Sequence, residues 1–256
     1  MDASLNAAAG QEIIDALMVR HGDSPRAIAD LREGMLTPLA LAGDFDTLEF
    51  WLAEQGIADD GMDLRTKAAY MIGGIAWSVC WWMALLDLNG QPSLRRVAIA
   101  QERYWWHGAG TSHEYVRYPL AIEIGPGPDH RTMLEELFAP LIAATMVTSG
   151  LSPGAQWRIV SDNVARAFLD VGKQLGEEPR AMAIASAILA EGRLANGRTG
   201  FVEVIEGDSC EWFVTRGGCC RYYTVTGGEY CTACVLRKPE DQMQRWRAYL
   251  ASQAPA

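Results

Sequence analysis

Residues 68–86 constrain the fold more than any other part of the chain. They form a run of nineteen residues without a charged side chain, AAYMIGGIAWSVCWWMALL. A run of that length can cross a membrane as a helix. However, Gly73, Gly74, Ser78 and Cys80 reduce its hydrophobicity, basic residues flank only one end, and no second such run occurs. We therefore predict a helix that is buried on all sides in the core of a soluble protein.

Apolar side chains at helical spacing occupy much of the remaining sequence. A helix over residues 24–34 is predicted to begin with Ser24 as N-cap and Pro25 in the first turn. Thr132 and Glu135 have the spacing of a capping box, and the helix that they open is predicted to end at Gly150. Further helices are predicted over residues 11–21, from 37 or 44 to 56, from 152 to about 169, over 179–194 and over 241–252.

Two regions have the alternation of β-strands. Residues 96–106 and 114–124 show partial two-residue alternation around a loop at 108–112, which predicts an antiparallel hairpin. The glycines and prolines of residues 125–129 predict a turn after it. Short extended pieces are predicted between residues 201 and 214. The fold class that follows is α+β, mainly α-helical, with a small antiparallel sheet and a C-terminal cysteine-rich lobe.

Length and charge limit the organisation and the partners of the protein. A chain of 256 residues is near the upper size of a single core, so we predict a mainly helical domain over residues 1–200 and an appended lobe over 201–256. A net charge of −10 and the lack of a dense basic run argue against nucleic acid as a partner. Residues 1–18 lack the features of a secretory signal, which predicts a cytoplasmic protein.

Four of the six cysteines fall within sixteen residues, in the spacing CCx10CxxC: Cys219, Cys220, Cys231 and Cys234. In a reducing compartment such a cluster indicates a metal site before disulfides. Thiolates suit both zinc and iron–sulfur clusters, and structural zinc sites usually combine two CxxC-like turns. Adjacent side chains in extended backbone point to opposite sides. The first pair therefore shares one metal only if the backbone bends, or it reaches different atoms of a larger centre such as a two-iron cluster.

Other candidate groups outside this motif are interpreted as structural. Cys80 and Cys210 are predicted to be small buried hydrophobic residues rather than ligands. The tryptophan pairs at 81–82 and 105–106 are predicted to lie in the core. No glycine-rich loop with the spacing of a flavin or nicotinamide site occurs, so electrons for any redox chemistry have to come from a partner protein.

The stretch RGGCCRYYTVTGGEYCTACVLR resembles the C-terminal [2Fe-2S] motif of the FhuF-type ferric siderophore reductases. The resemblance includes the four cysteines in register, the tyrosines at 222 and 223, and the glycines at 227 and 228. Residues 139–168 are similar to the helix pair that precedes the cluster in such proteins, so the resemblance covers roughly the second half of the chain. It implies that Cys219, Cys220, Cys231 and Cys234 hold a [2Fe-2S] cluster.

The resemblance also implies an activity. One electron from the cluster would reduce the Fe(III) of a ferric siderophore and release Fe(II), with a reduced ferredoxin or a flavin reductase as electron donor and a possible transient association with a membrane surface. Arg216 and Arg221 flank the cysteines, and they are expected either to tune the cluster or contact the substrate, or to be solvated loop residues. The alternatives are a zinc-stabilised binding or assembly protein of siderophore metabolism, and a sensor of iron or oxygen, for which no helix-turn-helix charge pattern is present.

Overall fold

The computed structural model of the chain describes residues 3–21, 25–29, 32–57, 59, 61–108 and 111–253. Within them, 57% of the chain is helical, which confirms the predicted α+β class with mainly helical content. The helices are α1 (Ala3–His21), α2 (Pro38–Gly43), α3 (Phe45–Glu54), α4 (Leu64–Leu88), α5 (His130–Ser149), α6 (Pro153–Leu175), α7 (Glu178–Leu189) and α8 (Pro239–Gln253). The strands are β1 (Ala27–Ile28), β2 (Leu94–Ile99), β3 (Glu102–Gly108), β4 (Thr111–Arg117), β5 (Leu120–Ile124), β6 (Gly200–Glu206) and β7 (Ser209–Thr215).

Helix α4 contains the uncharged run and lies at the centre of the main core. Asp63 caps it by accepting a hydrogen bond from the backbone N–H of Thr66 at 2.7 Å. By length and composition it is the one helix in the described residues that could cross a membrane, with a mean hydropathy of 1.5, but 78% of that apolar window is buried inside the fold. The helix packs chiefly against α6. This burial agrees with the prediction of a core helix.

Helices α5 and α6 pack against α4, and α7 packs against α6. Ser152 caps α6 with Pro153 in the first turn, and Gly150 ends α5 in the left-handed conformation at φ 72°, both as predicted. The predicted capping box at Thr132 is wrong, since Asp129 is the N-cap and accepts from the N–H of Thr132 at 3.0 Å. An aspartate three residues earlier satisfies the same free N–H groups. Helix α7 ends at Leu189 rather than at 194.

The helix predicted over residues 24–34 does not form in the described residues. Ala27 and Ile28 are strand β1 instead, paired in parallel with Leu120 and Ala121 of β5, while Ser24 and Leu31 lie outside the described residues. Long-range backbone pairing therefore overrides the local helical pattern. Strand β2 pairs with β5 in antiparallel fashion, so the small sheet has the order β1-β5-β2 and is mixed rather than purely antiparallel.

The predicted hairpin is present as strands β3 and β4, which pair in antiparallel register from Glu102 with Arg117 to Gly108 with Thr111. The predicted burial of its tryptophans is wrong, because Trp105 and Trp106 are 58% and 46% exposed. Consecutive strand residues point to opposite faces, so both faces of this two-stranded ribbon are exposed to solvent at the two tryptophans. The pair at 81–82 on α4 is buried as predicted, at 5% and 0% exposure.

The C-terminal region has a small apolar core of its own. The predicted extended pieces are present as strands β6 and β7, which form an antiparallel hairpin. Helix α8 packs on this hairpin, where Trp246 and Leu250 form one buried cluster with Val204 of β6. Phe213 of β7 stacks on Trp246 with ring centroids 5.5 Å apart. The boundary between 1–200 and 201–256 stays a prediction, since β7 also packs directly on α6.

Candidate metal centre

The four clustered cysteines lie on the loop between β7 and α8, and the fold brings them to one place. They border a single void of about 10 Å³, which is also lined by the rings of Tyr223 and Tyr230. Cys234 is buried at 5% exposure, and the other three are partly buried. The two tyrosine rings meet edge to face with centroids 5.1 Å apart, and they are 36% and 43% exposed. The structure therefore places every thiol of the motif around one small space.

The cysteine loop contains a left-handed turn at Arg221, directly after the adjacent pair Cys219 and Cys220. Its φ of 61° is the only positive φ of a non-glycine residue in the part of the chain that the structure describes. Left-handed backbone costs such a residue about 1–2 kcal/mol, so it occurs where the surrounding structure holds it. Here the N–H of Arg221 donates to the Sγ of Cys219 at 3.4 Å, and the guanidinium donates to Asp63 at 2.8 Å. The chain thus turns directly after Cys220, and the guanidinium of Arg221 anchors the loop to the start of α4.

The glycines between the two cysteine pairs make the return turn possible. Gly227 has a φ of 73°, and the N–H of Gly228 donates to the carbonyl of Val225 at 3.0 Å. A Cβ on Gly228 would overlap the carbonyl oxygen of Tyr222. Gly227 and Gly228 therefore occupy positions of this turn that disfavour a side chain.

Asp162 of α6 fixes the segment that leads into the cysteines. Its carboxylate is 5% exposed and accepts four hydrogen bonds, from the N–H groups of Gly217 and Gly218 at 2.7 and 3.0 Å, from Thr199 at 2.7 Å, and from Arg216 at 3.1 Å. Burial raises the pKa of Asp162 above its usual value, although Arg216 and the other donors oppose the shift. Buried carboxylates need such partners, and here the partners are the backbone of the loop itself.

Arg216 connects this carboxylate to the sulfur atoms. Its side chain is 24% exposed, and Nη1 donates to the Sγ of Cys231 at 3.7 Å. Burial alone would lower the pKa of Arg216, but the nearby negative charge of Asp162, Cys220 and Cys231 raises it above its ordinary value. The guanidinium is therefore a permanent cation next to the thiols. Arg221 differs, because its guanidinium is directed at Asp63 and Thr66.

Cys220 and Cys231 form a hydrogen-bonded thiol pair. The hydrogen bond from Cys231 lowers the pKa of Cys220 to about 5, further aided by Arg216, and the same bond raises the pKa of Cys231. The contact thus favours the thiolate form of Cys220. A thiolate is the form that binds metal. Burial raises the pKa of Cys219.

The donor set fits a cysteine-ligated iron–sulfur centre. Four thiols border one void, and two of them receive hydrogen bonds from an N–H and a guanidinium, which are the contacts that tune such clusters. Within the described ranges, no three His, Cys, Asp or Glu side chains are grouped as ligands of a single metal ion.

The remaining cysteines lie elsewhere. Cys80 is fully buried in α4, as predicted. Cys210 is exposed on β7 and donates to Glu203 at 3.3 Å, so the prediction of burial is wrong for this residue. Its side chain lies on the outer face of the β6–β7 hairpin, and the other face of the hairpin packs on α8.

A much larger cavity, of about 660 Å³, adjoins the cysteines and was not predicted from the sequence. Cys220, Cys231 and Arg216 form one end of it, and Trp77 and Arg166 are among the residues of its walls. Its lining comes mainly from α4, α6, β4, β7, α8 and the cysteine loop. Residues so far apart in the chain share no local sequence pattern. The one signal in the sequence that could have indicated the cavity is the helical spacing of the polar residues along α6, at Asp162, Arg166, Asp170 and Lys173.

These features define the class of protein: an α+β protein with a C-terminal, cysteine-ligated iron–sulfur domain. Residues 216–236 match the family model described as FhuF 2Fe-2S C-terminal domain, and all four cysteines of the motif fall within the match. The chain therefore carries the FhuF-type C-terminal domain, and its cofactor is a [2Fe-2S] cluster. The match does not extend over residues 139–168, so the similarity expected there stays a prediction. No curated protein and no solved structure matches the chain.

Proposed function

We propose that the protein is a ferric siderophore reductase in which Cys219, Cys220, Cys231 and Cys234 are the cluster ligands. The observation that carries the proposal is the FhuF-type 2Fe-2S domain at residues 216–236, together with its four thiols around a single void. The family association with siderophore iron supports the substrate class. The reaction is the addition of one electron to Fe(III) in the chelate, which yields Fe(II) and the unaltered organic ligand.

The bound cluster supplies that single electron, and the protein residues control its surroundings. Arg216 places a permanent positive charge at the sulfur of Cys231, which favours the more negative, reduced state. The N–H of Arg221 donates to Cys219 and acts in the same direction. Asp162 holds Arg216 and the adjoining backbone in place. We expect a reduced ferredoxin or a flavin reductase to be the electron source.

Spectroscopy and turnover test the proposal directly. Purified without oxygen, the protein should be red-brown, should contain iron and acid-labile sulfide in equal amounts, and should bleach with dithionite. Mixed after reduction with a ferric trihydroxamate, it should regain its colour while a ferrous-specific chelator captures Fe(II). A cluster that is reduced by dithionite but is not reoxidised by any ferric chelate would refute the reductase function and leave the cofactor intact.

The cellular setting is part of the same proposal. The acidic net charge and the lack of a basic run support a protein that does not bind nucleic acid, and we expect it to act in the cytoplasm. Ferric chelates enter a cell across a membrane, so a transient association with that surface would shorten the path to the substrate. Fractionation of cells followed by detection of the protein tests both statements.

A further inference from the structure

The cavity of about 660 Å³ lies directly beside the cysteine loop. Cys220 and Cys231, the hydrogen-bonded thiol pair, form part of its wall, and so does Arg216. The other two cysteines of the motif do not line it. Any molecule inside this cavity is therefore adjacent to one particular side of the cysteine cluster.

The size and lining of the cavity fit a bulky organic ligand. Ligand sites commonly have volumes of about 300–1,000 Å³ and combine apolar and aromatic walls with a few polar groups. Here aromatic side chains come from four different elements: Tyr70 and Trp77 from α4, Tyr115 from β4, Trp212 and Phe213 from β7, and Trp246 from α8. Gly73 and Gly74 of α4 also line the cavity. The ring of Tyr118, another residue of the lining, packs so closely on Gly74 that a Cβ there would lie 2.6 Å from it.

Trp77 and Arg166 form the best-defined recognition surface in the cavity. The guanidinium carbon of Arg166 lies 4.5 Å from the ring centroid of Trp77, a cation–π contact between α4 and α6. The side chain of Arg166 is 64% exposed, so it can contact a ligand that enters from solvent. A planar cation stacked on an indole presents both an aromatic face and hydrogen-bond donors.

The charged groups of the walls are paired with one another. Arg166 pairs with Asp170 at 3.5 Å, Arg216 pairs with Asp162 at 3.1 Å, and Lys173 forms an ion pair with Glu211. The cationic side chains that line the cavity thus each have a carboxylate partner. Recognition in such a site depends on shape and aromatic contact more than on net charge, so binding should change little with salt concentration.

We propose that this cavity binds the metal chelate that accepts the electron, next to Cys220 and Cys231, and that Trp77 and Arg166 are the residues that position it. The proposal rests on the proposed function for the identity of the ligand, since a ferric siderophore is a bulky chelate. It adds which two cysteines face the acceptor and which side chains hold it. The redox step is unchanged: one electron, supplied in turn by the reduced partner protein, converts Fe(III) to Fe(II).

Binding can be measured without electron transfer by using gallium. Ga(III) forms chelates of the same shape as Fe(III) but does not accept an electron under these conditions. Titration calorimetry of the cluster-containing protein with gallium complexes of a trihydroxamate, a tricatecholate and citrate should show saturable binding of at least one. For that complex, Trp77→Ala and Arg166→Ala should each raise Kd by about tenfold, as expected for residues at the centre of a binding site.

Matched variants separate positioning from general damage. Trp105→Ala removes an exposed tryptophan outside the cavity, and Arg180→Ala removes a half-exposed helical arginine with its own ion pair to Glu177, so both should bind like wild type. The absorption spectrum of the cluster should be the same in all variants. If Trp77→Ala does not fold, Arg166→Ala and Arg166→Glu still test the site. In turnover with the ferric complex, the cavity variants should raise KM more than they lower kcat.

The outcomes distinguish this proposal from the function on which it rests. Wild-type Kd values for Trp77→Ala and Arg166→Ala in a protein that reduces ferric chelates would overturn the cavity site and leave the reductase standing. Lack of binding of all three gallium complexes to wild type would also overturn it. Gallium binding that depends on Trp77 and Arg166, without any reduction of the ferric complexes, would support the cavity site and refute the reductase.

Discussion

The substitution Asp162→Asn should release the cysteine loop from α6. Asn is nearly the same shape as Asp, but one carboxylate oxygen becomes an NH2 group that donates instead of accepting. Each oxygen of Asp162 accepts two hydrogen bonds: Oδ1 from Gly217 and Thr199, and Oδ2 from Gly218 and Arg216. The amide therefore always leaves two donors without an acceptor, and it removes the negative charge that pairs with Arg216.

The size of the effect follows from burial. The side chains of Asp162 and Arg216 are 5% and 24% exposed, so the pair is largely shielded from water. Removing one partner of a buried ion pair costs about 3–5 kcal/mol. We expect about 3 kcal/mol, the lower limit, because Arg216 keeps its contact with the sulfur of Cys231. At about 2–4 °C per kcal/mol for a chain of this size, Tm should fall by roughly 6–12 °C.

Asp170→Asn is the matched control. Asp170 lies two turns further along the same helix, but its ion pair with Arg166 has side chains that are 36% and 64% exposed. Exposed pairs contribute about 0–1 kcal/mol, so its Tm should stay within about 4 °C of wild type. Thermal unfolding followed by tryptophan fluorescence gives Tm, and the rate of iron loss to a chelator reports on the loop. Equal Tm values and equal rates of iron loss in the two variants would refute the assignment of Asp162 as the anchor of the loop.

Three other predictions concern the same loop. Arg216→Ala should lower the reduction potential of the cluster by about 60–130 mV, the equivalent of one hydrogen bond from a charged donor. Redox titration should show a smaller shift for Arg221→Ala, and equal shifts in the two variants would contradict the distinct roles of these arginines. Gly218→Ala should destabilise the protein by about 1–3 kcal/mol in urea unfolding, because its Cβ would lie 2.8 Å from the backbone of α6, whereas Gly154→Ala, with nothing within 4 Å, should be neutral. Burial raises the pKa of Asp63, but its hydrogen bonds outweigh burial and lower the pKa below the usual value. The ionised carboxylate of Asp63 should therefore stabilise the fold fully above the unfolded pKa of about 3.9, and this stabilisation should disappear as pH falls through the folded pKa. The stability difference between wild type and Asp63→Asn should therefore shrink on acidification, and a constant difference would contradict this.

The sequence predicts those parts of the fold that depend on local patterns. The uncharged run becomes the buried helix α4, and Ser152 with Pro153 starts α6, because burial and capping act within a few residues. The cysteine spacing predicts a metal site on one loop, and the four thiols of that loop border a single void. By contrast, residues 27–28 have a helical pattern but form a strand, since their pairing partners lie more than ninety positions away on β5.

The site was predictable only where it is contiguous in sequence. The four cysteines and Arg216 lie within nineteen residues, so their proximity follows from the chain itself. Asp162 precedes Arg216 by more than fifty positions, and a single aspartate on an amphipathic helix carries no sign that it binds a distant loop. The cavity is harder still, because Trp77 and Arg166 meet only after α4 and α6 pack.

Helix α6 contacts both the cysteine loop and the cavity. Asp162 holds the loop at one point of this helix, and Arg166, Asp170 and Lys173 line the cavity over the next three turns. A single α-helix has a fixed rise of about 1.5 Å per residue, so it acts as a ruler between the two. With the chelate in the proposed cavity site, the other walls could change in sequence, and thus in the chelate that they accept, without altering the distance that an electron has to travel. The proposed site would therefore let specificity and the rate of electron transfer evolve independently.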